Sequence, residues 1–392
     1  MQYIFACDGL DLLGGELLLE KIARQLILNQ NKVRVCCKWI SEEMQARFAK
    51  MQAEVIVVRN WKNVNIFFEG FDEKEEIRIL TLLWEEFVRF SCIYNRKVKT
   101  LLYIVHPRTV LAAYNNGRIR KEIKKRIVRK MLLKKIQSGN VIFMDENTLE
   151  CTKEYYKFTK EEISTIKIVR IAIDIEDIID EYFYERAALN TFNILSVARA
   201  DFPMKGYLLG LVDFFAQKCI IDSNITLTII SYGDDIEQLN KKIDEQPQFV
   251  KDKIMLIGKT DYDELKKYYK QAKLYVGMGT TILDAAQHGI PSIPVKTYTY
   301  ELLADKFFMD DYTRIDVDKN FQGNNFENLY IRIRNYSYEE YISHSHLERD
   351  TAIRYYGTES TTMEIEQQFN EIGLNFLDLY TKVLYLMKKT KL

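Results

Sequence analysis

The stretch LYVGMGTTILDAAQHGIPSIPV, residues 274–295, changes its periodicity twice. A short β-branched and aromatic run ends in Gly277 and Gly279, a helix begins at Thr280 or Thr281, and Gly289 with Pro291 closes it before SIPV starts another strand. A glycine-lined strand-to-helix turn aims the first helical amides at a ligand, and the helix dipole favours an anion there. Phosphate is the natural guest. The same residues also admit a local account, because Thr281 and Asp284 stand at the T-x-x-D spacing of a capping box, which needs no ligand.

Working outward, the strand-helix alternation holds on both sides. Upstream come FNILSVA as a strand, KGYLLGLVDFFAQK as a helix, ITLTIIS as a strand, DDIEQLNKKI as a helix, KIMLIG as a strand and YDELKKYYKQA as a helix. The first half repeats the rhythm with strands at YIFAC, VRVCCKW, EVIVV, LLYIV and NVIFM, long helical stretches between the later ones, and a last strand at IKIVRIAI. This is the order of parallel α/β sheets. It predicts domains at 1–188 and 189–362, with 363–392 as a terminal helix. In that last segment Ile365, Phe369, Ile372, Phe376, Tyr380, Val383 and Met387 share one face of a single long amphipathic helix, which must dock on something.

Composition narrows the class. The 392 residues are 47% hydrophobic and 29% charged, with 5 Pro and 16 Gly, which suits packed domains and excludes disordered or fibrous chains. The 56 basic and 56 acidic residues cancel, so no basic excess points to nucleic acid as a partner. Six cysteines show no C-x-x-C spacing, so reduced thiols in a cytoplasmic protein are expected, and no metal site. No leader or spanning segment is visible.

Charge is uneven along the chain. Residues 1–190 hold 32 Lys+Arg and 27 Asp+Glu, a balance of +5, leaving 24 and 29, or −5, for the remainder. The cause is RIRKEIKKRIVRKMLLKKI, residues 118–136, with ten basic residues and one acid, and with Ile119, Ile123, Ile127, Met131 and Leu132 at helical spacing. Such a helix would hold the protein peripherally at an anionic membrane surface. Alternatively it is a solvated helix whose apolar stripe packs into its own domain. The residues leave both readings open.

Three further groups could carry chemistry. Arg199 leaves the first strand of the second half, and Lys205 with Gly206 opens the next helix, so two cations could clamp a diphosphate at the carboxyl end of a sheet; solvated surface cations are the alternative. Gly14 and Gly15 begin the first helix without completing G-x-G-x-x-G, and Lys38 ends the second strand where a dinucleotide site needs an acid, so nicotinamide binding is poorly supported. His106 follows the strand LLYIV. His344 and His346 form an H-S-H pair in a polar stretch and read as a solvated loop.

Taken in order, these segments resemble the GT-B glycosyltransferases, specifically the large retaining group four family. ILSVARADFPMKGY, LTIISYGDDIEQL, IMLIGKTDYDELKKYYKQAKLYVGMG and TTILDAAQHGIPSIPV are similar to its nucleotide-sugar domain, while DLLGGELLLEKIARQL and IVHP are similar to its first helix and central histidine. The resemblance implies two Rossmann-like domains with parallel sheets facing across a cleft and a C-terminal helix crossing back to the first. It implies that Arg199 and Lys205 contact the donor diphosphate, that Gly14 and Gly15 approach the same phosphates, that the amides of Thr280 and Thr281 cap them with Gly279 beside them in the donor site, that Asp284 accepts from the donor ribose, that the loop at Gly258 holds the base, and that His106 lies by the transferred sugar. No cofactor or metal is implied. The chain departs from the family at Val276, which stands where the first of two carboxylates would be, and Asp284 replaces a glutamate. The function implied is transfer of a sugar from a nucleoside diphosphate donor, uridine most simply, to a glycan acceptor, lipid-linked in view of the basic helix, in surface polysaccharide synthesis. A non-catalytic GT-B partner of an active transferase and an epimerase on the same fold are the alternatives.

Overall fold

Strand β1 (Gln2–Ala6) is buried along its whole length, which explains its uninterrupted apolar sequence: a parallel strand covered on both faces has no polar side. The computed structural model describes residues 1–392 apart from 12–13, 60, 62–63, 73, 95, 112–117, 318–320, 376–377 and 390–392. After β1 come β2 (Gly9–Leu10), α1 (Gly14–Leu28), β3 (Lys32–Cys37), β4 (Trp39–Ile40), α2 (Glu42–Lys50), β5 (Glu54–Val57), β6 (Ile77–Thr81), α3 (Trp84–Ser91), β7 (Val98–Ile104), α4 (Arg108–Leu111), α5 (Arg118–Gln137), β8 (Val141–Phe143), α6 (Glu146–Tyr156) and β9 (Lys167–Ile168). Seven of these strands form a parallel sheet in the order β5-β3-β1-β6-β7-β8-β9, and β2 pairs with β4 separately.

Strand β6 lies in a stretch to which the sequence reading assigns no strand. Its pattern is disguised by Arg78, which is buried between Glu76, the Tyr3 hydroxyl and Asn370. The strand expected at 166–173 shortens to β9 because Ile171–Ile173 leave the sheet, Ile173 bridging to Gly357.

The second unit contains α7 (Glu181–Ala188), β10 (Phe192–Arg199), α8 (Tyr207–Ile221), β11 (Ile225–Tyr232), α9 (Ile236–Asp244), α10 (Gln248–Lys251), β12 (Ile254–Ile257), α11 (Tyr262–Gln271), β13 (Leu274–Gly277), α12 (Thr280–Gln287), β14 (Ser292–Pro294), α13 (Phe326–Arg334) and α14 (Tyr338–Tyr356). Its five strands are parallel in the order β12-β11-β10-β13-β14. Leu208, Leu211, Phe215, Ile229, Val276 and Ile293 fill its core, each such side chain contributing about 1.5–3 kcal/mol on burial.

The chain then returns to the first unit through α15 (Thr358–Glu371) and α16 (Leu379–Lys389). The two compact units are therefore 1–174 with 357–392, and 175–356. The boundary lies ahead of residue 188 because Phe183 and Arg186 of α7 are buried in the second unit. The single terminal helix expected from periodicity is two helices. At the break, the Asn375 amide donates to the Val98 carbonyl, and Asp378 caps α16 through the amides of Tyr380 and Thr381. Among the described residues no helix is long and apolar enough to cross a membrane.

Candidate functional site

In the second sheet the chain runs outward from β10 through β11 to β12, then returns to the other side of β10 for β13 and β14. The strand order reverses between β10 and β13. Ligands of open α/β sheets bind at such a reversal, outside the carboxyl ends of the strands. Topology thus brings the β10–α8 loop and the β13–α12 turn, the two segments singled out in this half of the sequence, to one crevice.

In the β13–α12 turn, Gly279 is the N-cap of α12 with φ 73° and ψ −153°, a conformation nearly confined to glycine, while a Cβ there would meet nothing within 4 Å. The requirement is conformational, not steric. The capping box does not form, because Thr281 sits inside the helix, its hydroxyl donating to the Met278 carbonyl at 3.1 Å, and Asp284 lies beyond the first turn. The Gly279 amide donates to the Ile315 carbonyl at 2.7 Å, so what Gly279 gives this turn is its backbone conformation. The amides of Thr280 and Thr281 have no acceptor within the helix, and Thr280 is exposed.

Facing this turn across the strand reversal, Arg199 ends β10, 51% exposed, with one guanidinium nitrogen 3.3 Å from Asp234. Lys205 follows on the loop. Burial lowers its pKa, Asp201 opposes that, and the nearby Arg199 cation lowers it further. Two neighbouring cations, one partly desolvated, favour an anionic guest that would relieve both costs. The loop is fixed by the Phe202 amide donating to Asp235 at 2.7 Å, and by Gly206 and Gly210, where a Cβ would lie 2.7 Å from backbone atoms of Thr299, Tyr300 and Leu302.

The far end of α12 is held as firmly. Buried Arg186 donates to the His288 and Gly289 carbonyls at 2.8 and 2.9 Å, and Arg349 donates to the Gln287 carbonyl. Cations at a helix C-terminus complement its dipole. His288 is 5% exposed and its Nδ1 lies 2.7 Å from the Asp284 carbonyl; burial pushes its pKa down to about 4, against the opposing effects of that carbonyl and Glu176. His344 and His346 lie on α14 and not in a solvated loop; His344 is buried, 3.2 Å from the Tyr336 hydroxyl and 3.5 Å from Glu348.

The remaining expected residues lie elsewhere. Gly258 follows β12 at the sheet edge, two strands from the reversal. Gly14, Gly15 and His106 belong to the first unit. There the strand order reverses between β1 and β6, Gly15 at the start of α1 packs against Leu82 just past β6, and exposed His106 follows β7. In α5 Val128, Met131, Leu132 and Ile136 are buried in that unit's own core, so over this half the stripe is packed, while Ile123 is 53% exposed; the side chain of Ile119 lies outside the described residues.

No protein-family model matches the chain, and no curated protein matches it in sequence. Solved structures do match it. A glycosyltransferase from Rickettsia africae superposes with a TM-score of 0.63 at 14% identity, over 94% of this chain and 98% of that one. Anabaena HepE, solved with UDP and glucose, gives 0.56 at 12% identity over 95% and 100%. A variant of S. aureus TarM, solved with UDP among its ligands, gives 0.56 at 11% identity over 94% and 100%. The chain has the GT-B fold. Within this GT-B chain, Val276 is wholly buried in the second unit's core. Sequence reasoning missed Tyr275, wholly buried with its hydroxyl 3.2 Å from the Val197 carbonyl beneath the strand reversal, because a core strand tyrosine carries no local signal.

Proposed function

We propose that the protein is a retaining glycosyltransferase that moves a sugar from a nucleoside diphosphate donor, UDP-linked, to a glycan acceptor. The convergence of Arg199, Lys205 and the free first-turn amides of α12 at one strand reversal carries this reading. In the reaction the bond from the sugar's anomeric carbon to the diphosphate oxygen breaks with its electron pair going to the diphosphate. The acceptor hydroxyl oxygen bonds to that carbon on the same face, and its proton passes to the departing phosphate. Negative charge therefore grows on the diphosphate in the transition state, where fixed cations and prearranged amides stabilise it most. Asp284 accepts from the donor ribose and the loop at Gly258 holds the base. On the family pattern Gly14 and Gly15 approach the same phosphates and His106 lies beside the transferred sugar. These groups do the work for which other enzymes use a divalent ion.

The acceptor we assign is lipid-linked, at the cytoplasmic face of a membrane in surface polysaccharide assembly. The exposed end of α5 supports this, with Ile123, Arg126 and Lys130 turned to solvent. Replacing Lys124, Arg126 and Lys130 by Ser should reduce cosedimentation with anionic vesicles; unchanged binding would refute the membrane contact.

The test of the site is a calorimetric panel of nucleotide sugars. One donor should bind and release free sugar slowly, and Arg199→Ala or Lys205→Ala should reduce turnover by about a hundredfold, as loss of a charge-stabilising group does. The buried Val276 favours a second reading, a non-catalytic partner of an active transferase. Binding of a donor with no sugar release, alone or with acceptor, would establish that reading and sink the first.

A further inference from the structure

Strands β10 and β13 are paired over two positions, Ile194 with Leu274 and Leu195 with Tyr275, although β10 continues to Arg199 and β13 to Gly277. Past that point a side chain takes over from the ladder. The Val197 amide donates to the Tyr275 hydroxyl at 3.4 Å, and that hydroxyl donates to the Val197 carbonyl at 3.2 Å. The ring lies directly over Gly277, where a Cβ would stand 2.8 Å from one ring carbon and 2.9 Å from the hydroxyl oxygen. Tyr275 is wholly buried. One phenol thus touches β10 two residues before Arg199 and the glycine turn that leads into α12.

Resting on the donor site proposed above, we propose that Tyr275 is a positioning residue that wedges β10 and β13 apart and fixes the glycine turn before α12, so that the Arg199–Lys205 pair and the Thr280 and Thr281 amides meet one diphosphate. The ring sets the separation of the two strands, and Gly277 is glycine because the ring occupies the space of its side chain. The hydroxyl ties that turn to the end of β10 through both backbone groups of Val197. A diphosphate spans both sides of the crevice and feels this spacing; a monophosphate reaches one side and does not.

The test measures UDP and UMP binding to the full chain by calorimetry, for the wild type, Tyr275→Phe and Gly277→Ala. Tyr275→Phe keeps the ring and loses the bonds to Val197, so UDP affinity should fall by about tenfold while UMP changes by less than about twofold, the size of loss that small misplacement of binding groups produces. Gly277→Ala puts a Cβ where the ring stands and should show the same selective loss. Equal losses for UDP and UMP, or an unchanged UDP affinity, would overturn the proposal while leaving the donor site intact. A wild type that binds no UDP would overturn both. If Tyr275→Phe does not fold, Gly277→Ala supports or overturns the proposal by the same UDP-to-UMP comparison.

Discussion

Gly279 illustrates how much one backbone conformation decides. At φ 73° and ψ −153° any other residue is strained by about 1–3 kcal/mol, so Gly279→Ala should lower unfolding free energy by that amount in urea titrations. A loss no larger than that of an ordinary surface substitution would show that the turn relaxes. His288 makes a pH-dependent contribution. Its imidazole titrates near 4 when folded and near 6.5 when unfolded, so between those values the unfolded chain binds the proton first. The stability due to the neutral, buried ring is fully present above about pH 6.5 and falls by about 3 kcal/mol as pH drops to about 4. His288→Gln should flatten that part of the stability profile. That Arg199, Lys205 and Thr280 stand at or just past the carboxyl ends of strands could be read in the sequence, because hydrophobic runs mark where those strands stop. Tyr275 could not, because its hydroxyl finds Val197 only after two strands distant in sequence lie side by side.

At the scale of elements, local pattern succeeded for strands with uniform apolar sequence and failed where a polar side chain has a distant partner. Arg78 hid β6, and Thr281 with Asp284 imitated a cap that Gly279 supplies instead. The terminal helices show the same limit, since the apolar period runs on across a break that Asn375 and Asp378 create through contacts with β7 and α5. Asp378 and Lys135 form a buried ion pair at 3.6 Å; burial pushes the Asp378 carboxyl up, but the Thr381 hydroxyl and amide and Lys135 hold it below the ordinary aspartate value. Asp378→Ala removes the cap of α16 and strands the Lys135 cation, so stability should fall by about 3 kcal/mol or more. The paired change Asp378→Ala with Lys135→Met should recover part of it in the same denaturation assay.

Across the whole molecule the first unit is built from both ends of the chain. Ile365, Phe369 and Ile372 of the returning segment sit in the same core as Tyr3, Phe5 and Leu101, while the second unit has a core of its own. A chain ending at Tyr356 should therefore lose cooperative unfolding of the first unit and keep that of the second. Limited proteolysis should trim it to a fragment starting near residue 175, and survival of an intact 1–174 fragment would contradict the assignment. Counted by unit the charge divides more sharply than by halves, 35 basic against 27 acidic residues (+8) in the first unit and 21 against 29 (−8) in the second, because the acidic stretch 175–190 belongs with the second.

By itself the sequence determined the alternation of strands and helices, the parallel sheets and the glycine turn after β13, because these follow from hydrophobic period and from backbone conformations open only to glycine. Tertiary structure decided which strands became neighbours. Only that choice placed the strand reversal between β10 and β13, brought Arg199 and Lys205 opposite the free amides of α12, and put the Tyr275 hydroxyl against the Val197 backbone. Contacts between residues far apart in the chain depend on the energy of the whole packed arrangement, and no local window of sequence contains it.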